Sequence, residues 1–230
     1  MTLGPELPEL PSTPKRGALF DMDRTLVRKE TASLYVRFQI DNGEASLLDL
    51  ARTMFWVAQY TLGILDMERV AERVLREIRG VSEMALAARC EDWFTRYVEQ
   101  HIAEAGREAV RRHSAAGDIC AIVTGGSPYA ARPLAQRLDI PHVVSTLFEM
   151  DETGCFTGRP TLPLCVGEGK VARAEVLAKS CGFRLEEAVF YSDSVSDLPL
   201  LERVGEAVAV NPDPRLLRIA KRKGWRVERW

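Results

Sequence analysis

Four aspartates, in two pairs, are the residues of this sequence best suited to chemistry. The pairs are Asp21 with Asp23, and Asp193 with Asp197. Each pair follows a short apolar run, GALF at 17–20 and AVFY at 188–191, which is typical of a buried strand that ends in a polar loop. Carboxylates brought together at one sheet edge would repel each other strongly, so the set needs a cation. Oxygen ligands without His or Cys favour Mg²⁺.

Two further polar residues suggest that this acidic cluster binds phosphate. Thr124 follows the apolar run at 119–123, and Lys170 begins a helical stretch before the second aspartate pair. The lysine and a divalent cation would neutralise phosphoryl oxygens, while the Thr124 hydroxyl and the backbone N–H of Gly125 would donate hydrogen bonds. Gly125 and Gly126 have no Cβ, which lets the backbone come close to a phosphate.

The first aspartate pair suits covalent phosphoryl transfer. An aspartate carboxylate can act as a nucleophile toward a phosphoryl group. A second aspartate two residues later, as in the Asp21–Asp23 pair, could protonate the leaving oxygen and then deprotonate the attacking water. Each of these residues alone would be typical of a turn or of an exposed helix. Together, and in this order at sheet-edge positions, they indicate a site.

The apolar pattern predicts the elements that position these residues. Apolar runs that alternate with helical stretches indicate a doubly wound α/β fold with a parallel sheet, which binds ligands beyond the carboxyl ends of its strands. Between about 30 and 113 apolar residues recur at helical spacing without a strand signal. We therefore expect an all-helical cap inserted after the first strand, and a hairpin with turns at Gly154 and Gly158 later in the chain.

The predicted boundaries divide the chain into three parts. Residues 1–15, with a proline at every third position, are expected to form a flexible tail. Residues 16–29 and 108–230 form the predicted α/β core, and 30–107 form the cap. Within the cap, the apolar segment at 47–65 carries charged residues and is predicted to be a helix of a soluble protein. Its aromatic residues are expected in the core of the cap, with a dimer partner or a lipid-like substrate as alternatives. They are Phe55, Trp56 and Tyr60.

Composition limits the functional classes. The 230 residues are 46% hydrophobic and 28% charged, with a formal net charge of −2, which excludes a disordered or collagen-like chain. No overall positive field attracts nucleic acid, and we expect no nucleic-acid partner and no stable membrane insertion. Five cysteines without a CxxC pair, and no export signal, favour a reducing cytoplasm.

Four motifs carry a resemblance to a known family. FDMDRTLV at 20–27 resembles the first motif of the haloacid dehalogenase-like superfamily. IVTGG at 122–126 is similar to the second motif, Lys170 to the third, and DSVSD at 193–197 to the fourth. The helical insertion between the first two motifs resembles the small cap of the superfamily's subfamily IB, which includes phosphoserine phosphatase.

The resemblance implies a role for each motif residue. Asp21 is expected to be the nucleophile that forms an aspartyl-phosphate, and Asp23 the general acid and base. Mg²⁺ is expected to be held by the carboxylates of Asp21 and Asp193 and by the backbone carbonyl of Asp23, with Asp197 in support. The implied phosphate-binding residues are Thr124 and Lys170, next to Gly125.

Two residues bear on the substrate. Ser196 stands where phosphoserine phosphatases usually carry Asn, and it is a candidate substrate-binding position. Glu30 resembles the glutamate that holds the substrate amino group in those enzymes, with a helix-capping acid as the alternative.

The expected function is Mg²⁺-dependent hydrolysis of a small phosphomonoester, such as phosphoserine or another amino-phosphate, by a monomer or homodimer. A phosphotransferase or mutase, and a non-catalytic phospholigand sensor, are the alternatives.

Overall fold

The computed structural model describes residues 16–61 and 67–230, and only the backbone of 56–61 and 67. The predicted Pro-rich tail lies outside the described residues. The strands, in chain order, are β1 (Gly17–Phe20), β2 (Ile119–Val123), β3 (His142–Val144), β4 (Leu147–Met150), β5 (Phe156–Thr161), β6 (Val189–Ser192), β7 (Glu206–Val210) and β8 (Arg226–Glu228). The helices are α1 (Thr31–Asp41), α2 (Leu47–Thr61), α3 (Met67–Glu77), α4 (Glu83–Trp93), α5 (Glu104–Ala115), α6 (Pro128–Arg137), α7 (Glu168–Cys181), α8 (Leu198–Arg203) and α9 (Pro214–Lys223).

A parallel sheet forms the centre of the fold. Among the described residues six strands pair in the order β3-β2-β1-β6-β7-β8. From β1 the chain moves to β2 and β3 on one side, and later to β6, β7 and β8 on the other. The carboxyl ends of β1 and β6 therefore flank the point where the strand order reverses, which is where open α/β sheets bind ligands.

Alternation along β1 builds a core on each face of the sheet. Ala18 and Phe20 belong to one buried cluster, with Val110 of α5 and Leu134 of α6. Leu19 belongs to the opposite cluster, which takes its apolar residues from α7, α8 and α9. Strand residues buried on both faces explain the continuous apolar runs in the sequence. The predicted doubly wound α/β fold is confirmed.

The cap comprises α1 to α4 and lies in the chain between β1 and β2, as predicted. Helix α4 runs on through a π-helical segment (Phe94–Val98) and a 3₁₀ turn (Glu99–His101). The expectation that Phe55 belongs to the cap core is wrong, because its side chain is exposed. Among the cap residues whose side chains the structure describes, the buried aromatic residues are Phe38 of α1, Trp93 of α4 and Phe94 of the π-helical segment. The side chains of Trp56 and Tyr60 lie outside the described residues.

The predicted hairpin forms from β4 and β5, but only one of its two turn predictions is right. Gly154 lies in the turn, whereas Gly158 lies inside β5 against α3. A Cβ on Gly158 would come within 3.4 Å of α3 backbone atoms, and its φ of +85° favours glycine. Phe156 exchanges backbone hydrogen bonds with Gly80 and Val81 of the cap, at 2.8 and 2.9 Å. The hairpin thus joins cap and core through backbone bonds that the sequence does not predict.

Two local predictions concern the helix that carries Lys170 and the apolar cap segment at 47–65. Helix α7 begins at Glu168, so that Lys170 is its third residue, and Gly182 follows its last residue as the C-cap. Among the described residues, no helix is both long enough and apolar enough to cross a membrane.

Candidate active site

A buried lysine connects two of the predicted aspartates. Lys170 Nζ lies 2.9 Å from Asp21 Oδ1 and 2.6 Å from Asp197 Oδ1. The hydroxyl of Ser192 donates to the other carboxylate oxygen of Asp197, at 2.7 Å. Only 2% of the Lys170 side chain is exposed, so its positive charge is balanced by these carboxylates rather than by water.

Asp21 is held at the end of β1 by its backbone. Its N–H donates to the carbonyl of Tyr191 on β6, at 2.9 Å, which places the carboxylate between these neighbouring strands. Burial raises the pKa of Asp21 to about 7, with Asp197 and Asp23 adding to the rise and Lys170 opposing it. A cation beside this carboxylate would favour its charged, nucleophilic form.

Asp23 links the core to the cap. The backbone N–H of Thr31, the first residue of α1, donates to Asp23 Oδ1 at 2.7 Å. Burial raises the pKa of Asp23 despite this hydrogen bond, which lowers it. A carboxyl group with a raised pKa can hold the proton that a leaving group requires.

Asp193 contacts a residue that the sequence argument missed. Arg24 Nε lies 3.3 Å from Asp193 Oδ2, and Arg24 Nη1 lies 4.0 Å from Glu30 Oε1. Burial and the nearby Asp21 raise the pKa of Asp193 well above its ordinary value, and Arg24 opposes the rise. The sequence feature that could have indicated this contact is the position of Arg24, a cationic residue between Asp23 and Thr25 inside the first motif.

The loop after β2 lies close to the turn that precedes α7. Thr124 is buried, its N–H donates to Val144 O at 2.9 Å, and its Oγ1 accepts the N–H of Gly126 at 3.1 Å. A Cβ on Gly125 would lie 3.0 Å from a methyl group of Val166. The strand register places this loop beside Asp21, since Phe20 pairs with Ile122.

Glu30 and Ser196 were the two predicted substrate-binding residues. Among the described contacts Glu30, at the N-cap position of α1, makes no capping hydrogen bond, which weakens the capping interpretation. Burial, together with Asp23, raises the pKa of Glu30 to about 8, and Arg24 opposes the rise. The Ser196 hydroxyl lies 2.9 Å from that of Ser194, within the loop after β6.

Asp213 is a second residue that the sequence argument missed. Its N–H donates to Asp193 O at 2.8 Å, and its Oδ2 accepts the N–H of Val195 at 2.6 Å. Its Oδ1 accepts backbone N–H groups in the first turn of α9, so one carboxylate caps a helix and holds the Asp193 loop. The signal was the Asp213-Pro214 pair, a helix start with proline at the first position.

The donor set fits a hard divalent cation. Asp21 and Asp193 offer buried carboxylates whose mutual repulsion such an ion would relieve. Both Asp197 oxygens are engaged, by Lys170 and Ser192, so Asp197 suits a supporting role. In the described ranges, no three Asp, Glu, His or Cys side chains can hold a metal alone. Backbone and water oxygens would have to complete the shell.

Comparisons with known proteins cover most of the chain. A family model described as haloacid dehalogenase-like hydrolase matches residues 18–202. Histidinol-phosphatase from Neisseria meningitidis serogroup C is 31% identical over 220 residues, which are 93% of this chain and 98% of that protein. Phosphoserine phosphatase SerB1 from Mycobacterium tuberculosis is 30% identical over 214 residues, 91% of this chain and 69% of that protein.

Solved structures agree with the fold. A protein of unknown function from Bordetella pertussis Tohama I has a TM-score of 0.83 and 33% identity, covering 94% of this chain and 99% of that one. A phospho-aspartyl intermediate analogue of phosphoserine phosphatase has a TM-score of 0.67 and 20% identity, covering 94% and 93%. At that identity the second likeness concerns the fold alone.

Proposed function

Because the chain belongs to the haloacid dehalogenase-like hydrolase family, and its similarity to named phosphatases identifies it as a phosphatase, we propose that it hydrolyses a small phosphomonoester through a phosphorylated Asp21. The observation that carries the proposal is the contact of Lys170 with Asp21 and Asp197 at 2.9 and 2.6 Å. A buried cation beside a candidate nucleophile at a strand end is what an incoming phosphoryl dianion requires.

Phosphate binding is assigned to three groups. The Nζ of Lys170, the hydroxyl of Thr124 and the N–H of Gly125 would donate to the phosphoryl oxygens. Asp21, Asp193 and the backbone carbonyl of Asp23 would hold Mg²⁺, with Asp197 in support. When bound, Mg²⁺ would neutralise charge on the phosphoryl group and on these carboxylates.

In the first step an oxygen of the Asp21 carboxylate attacks phosphorus, and the bond from phosphorus to the ester oxygen breaks. Asp23 gives its proton to that oxygen, and the alcohol leaves. The raised pKa of Asp23 supports this role, because it favours the protonated form that a general acid needs.

In the second step water attacks the phosphorus of the phosphorylated Asp21. The Asp23 carboxylate takes a proton from the water, the Asp21–phosphorus bond breaks, and inorganic phosphate leaves. Both carboxyl groups are then as they were at the start. The cap contact through Thr31 to Asp23 supports a site that excludes bulk water during these steps.

The substrate class we propose is an amino-phosphate. Histidinol phosphate and phosphoserine, which give two of the relatives their names, each carry an amino group beside the phosphate ester. Glu30 faces the acidic site from the first turn of the cap, and an ammonium group would favour its charged form. Ser196 is proposed to contact the same leaving group.

The cellular setting is part of the proposal. The cysteines are free thiols, which supports a reducing cytoplasm, and either a monomer or a homodimer would carry the complete site on each chain.

Phosphate release from a panel of phosphomonoesters, with and without Mg²⁺, tests the function. The panel includes histidinol phosphate, phosphoserine, glycerol phosphate and a nucleotide, with Asp21→Asn as the inactive control. We expect Mg²⁺-dependent release, fastest from an amino-phosphate. Substrate loss without an equal release of inorganic phosphate would indicate a phosphotransferase, and binding without turnover a sensor.

A further inference from the structure

Thr146 lies two residues after β3, buried between two loops of the site, and none of the roles assigned above involves it. Its N–H donates to Gly126 O at 3.1 Å, and its hydroxyl donates to Gly125 O at 3.0 Å. The same hydroxyl oxygen accepts the N–H of Cys165 at 3.0 Å. One side chain thus connects the loop after β2 with the turn before α7.

The bond to Gly125 sets the direction of a backbone donor. In a planar trans peptide the C=O of one residue and the N–H of the next point in opposite directions. Because Thr146 holds the Gly125 carbonyl, the Gly126 N–H must point away from Thr146. It donates to Thr124 Oγ1 at 3.1 Å, on the strand end assigned to phosphate binding.

The bond from Cys165 fixes the other loop. Cys165 and Val166 form the turn that leads into α7, and the carbonyl of Val166 accepts the N–H of Lys170 at 3.3 Å. Val166 also packs so closely on Gly125 that a Cβ there would lie 3.0 Å from its methyl group. The position of Lys170 therefore depends on the same contacts that position the loop at 124–126.

We propose that Thr146 is a positioning residue, whose hydroxyl holds the phosphate-binding loop and the Lys170 helix at a fixed separation. The roles of those two elements rest on the proposed function, whereas the positioning itself can be measured without turnover. Without the hydroxyl, the buried Cys165 N–H and the half-buried Gly125 carbonyl would both lose their hydrogen-bond partner, and both loops would have to move to recover one. A small displacement of binding groups has a large effect on rate.

The experiment compares Thr146→Val, which keeps the shape and loses the hydroxyl, with Thr146→Ser, which keeps the hydroxyl. Cys120→Ala, buried near the start of β2, is the control for lost stability alone. For Thr146→Val we expect a loss of about 10-fold or more in kcat/KM and in the affinity for inorganic phosphate. Thr146→Ser should stay within about threefold of the wild type, and Cys120→Ala should bind phosphate normally. Thr146→Ala replaces the valine variant if that protein does not fold.

Hydrogen–deuterium exchange of the peptides covering 124–127 and 164–170 separates this proposal from the proposed function. Faster exchange in both peptides for Thr146→Val, restored by Thr146→Ser, supports the positioning role even if the wild type hydrolyses no ester. Unchanged exchange, or a serine variant as impaired as the valine variant, would overturn it.

Discussion

Two carboxylate clusters of the site differ in how tightly they are held. The floor, which we define as Asp21, Lys170 and Asp197, has ion contacts of 2.6 and 2.9 Å around a lysine that is 2% exposed. The mouth, defined as Arg24, Glu30 and Asp193, has contacts of 3.3 and 4.0 Å around an arginine that is 40% exposed. Buried and well-bonded groups suit bond breaking, while looser groups can adapt to a leaving group.

The two clusters also differ in which parts of the molecule contribute their residues. Every member of the floor comes from the sheet edge or from a helix packed on it. Glu30, in contrast, begins the cap. The floor, together with Asp193 as a proposed Mg²⁺ ligand, is therefore expected to set the chemistry. Glu30 of the mouth is expected to select the substrate.

The largest expected effect is on the floor, at the nucleophile. Asp21→Asn should lower turnover by about 10⁴-fold or more, because an amide cannot form the phosphorylated intermediate. Its thermal stability should match or exceed that of the wild type, because it removes a buried carboxylate whose pKa burial has raised. Phosphate release and the unfolding temperature measure the two effects. Residual turnover within tenfold of the wild type would contradict the assignment.

The lysine of the floor should affect both stability and activity. Lys170→Met leaves the carboxylates of Asp21 and Asp197 without their buried cation and should cost about 3–5 kcal/mol of unfolding free energy. Turnover should fall by about 10²-fold or more. Urea unfolding and phosphate release report these effects, with the exposed Lys221→Met as the control. Unchanged stability would mean that the two contacts contribute little.

Stability should fall as pH rises in the protein without Mg²⁺. The pKa of Asp21 is raised from 3.8 to about 7 and that of Glu30 from 4.5 to about 8. Between about pH 4 and 8 the folded chain therefore binds more protons than the unfolded chain. The free energy of unfolding consequently falls as the pH rises through this range. Thermal unfolding in a chelator from pH 5 to 8.5 measures the fall, and Asp21→Asn should make it shallower. A rise in stability over that range would contradict the raised pKa values.

At the mouth, Glu30→Gln tests substrate selection. It should raise KM for an amino-phosphate by about 10-fold, the loss of one charge-assisted hydrogen bond, and leave glycerol phosphate nearly unaffected. Glu77→Gln, on the exposed end of α3, is the matched control. Equal changes for both substrates would remove the amine-binding role.

The smallest expected effect is that of Arg24→Gln. Its guanidinium lies on an oxygen of Asp193, so the variant should bind Mg²⁺ about 2–5-fold more tightly, the scale of a partly exposed ion pair. Calorimetric titration with Mg²⁺ measures the affinity. Weaker binding in the variant would show that Arg24 assists the cation site rather than competing with it.

The sheet and the floor were predictable from sequence because they follow from local patterns. An apolar run that ends in Asp21 or Thr124 marks both a buried strand and its functional edge. Helical spacing was enough to identify the cap and to place Lys170 at the start of α7. The predicted site residues therefore did not depend on knowing the partners of each strand.

The features that were missed depend on contacts between distant segments. Thr146 and Asp213 act through hydrogen bonds to backbone groups, and nothing in the local sequence shows which loop will lie opposite. The bonds from Phe156 to the cap are of the same kind. The prediction that Phe55 belongs to the cap core was wrong for a related reason. Helical spacing shows that one face of a helix is apolar, but it does not show whether another element covers that face.

Covalent trapping tests the central claim most directly. In Asp23→Asn with p-nitrophenyl phosphate, the good leaving group makes the first step independent of the acid, while the second step still needs the base. Acid quenching followed by peptide mass analysis should find a phosphoryl group on Asp21, and Asp21→Asn should carry none. A variant that releases p-nitrophenol with no phosphoryl group on Asp21, or with one on another residue, would contradict the account.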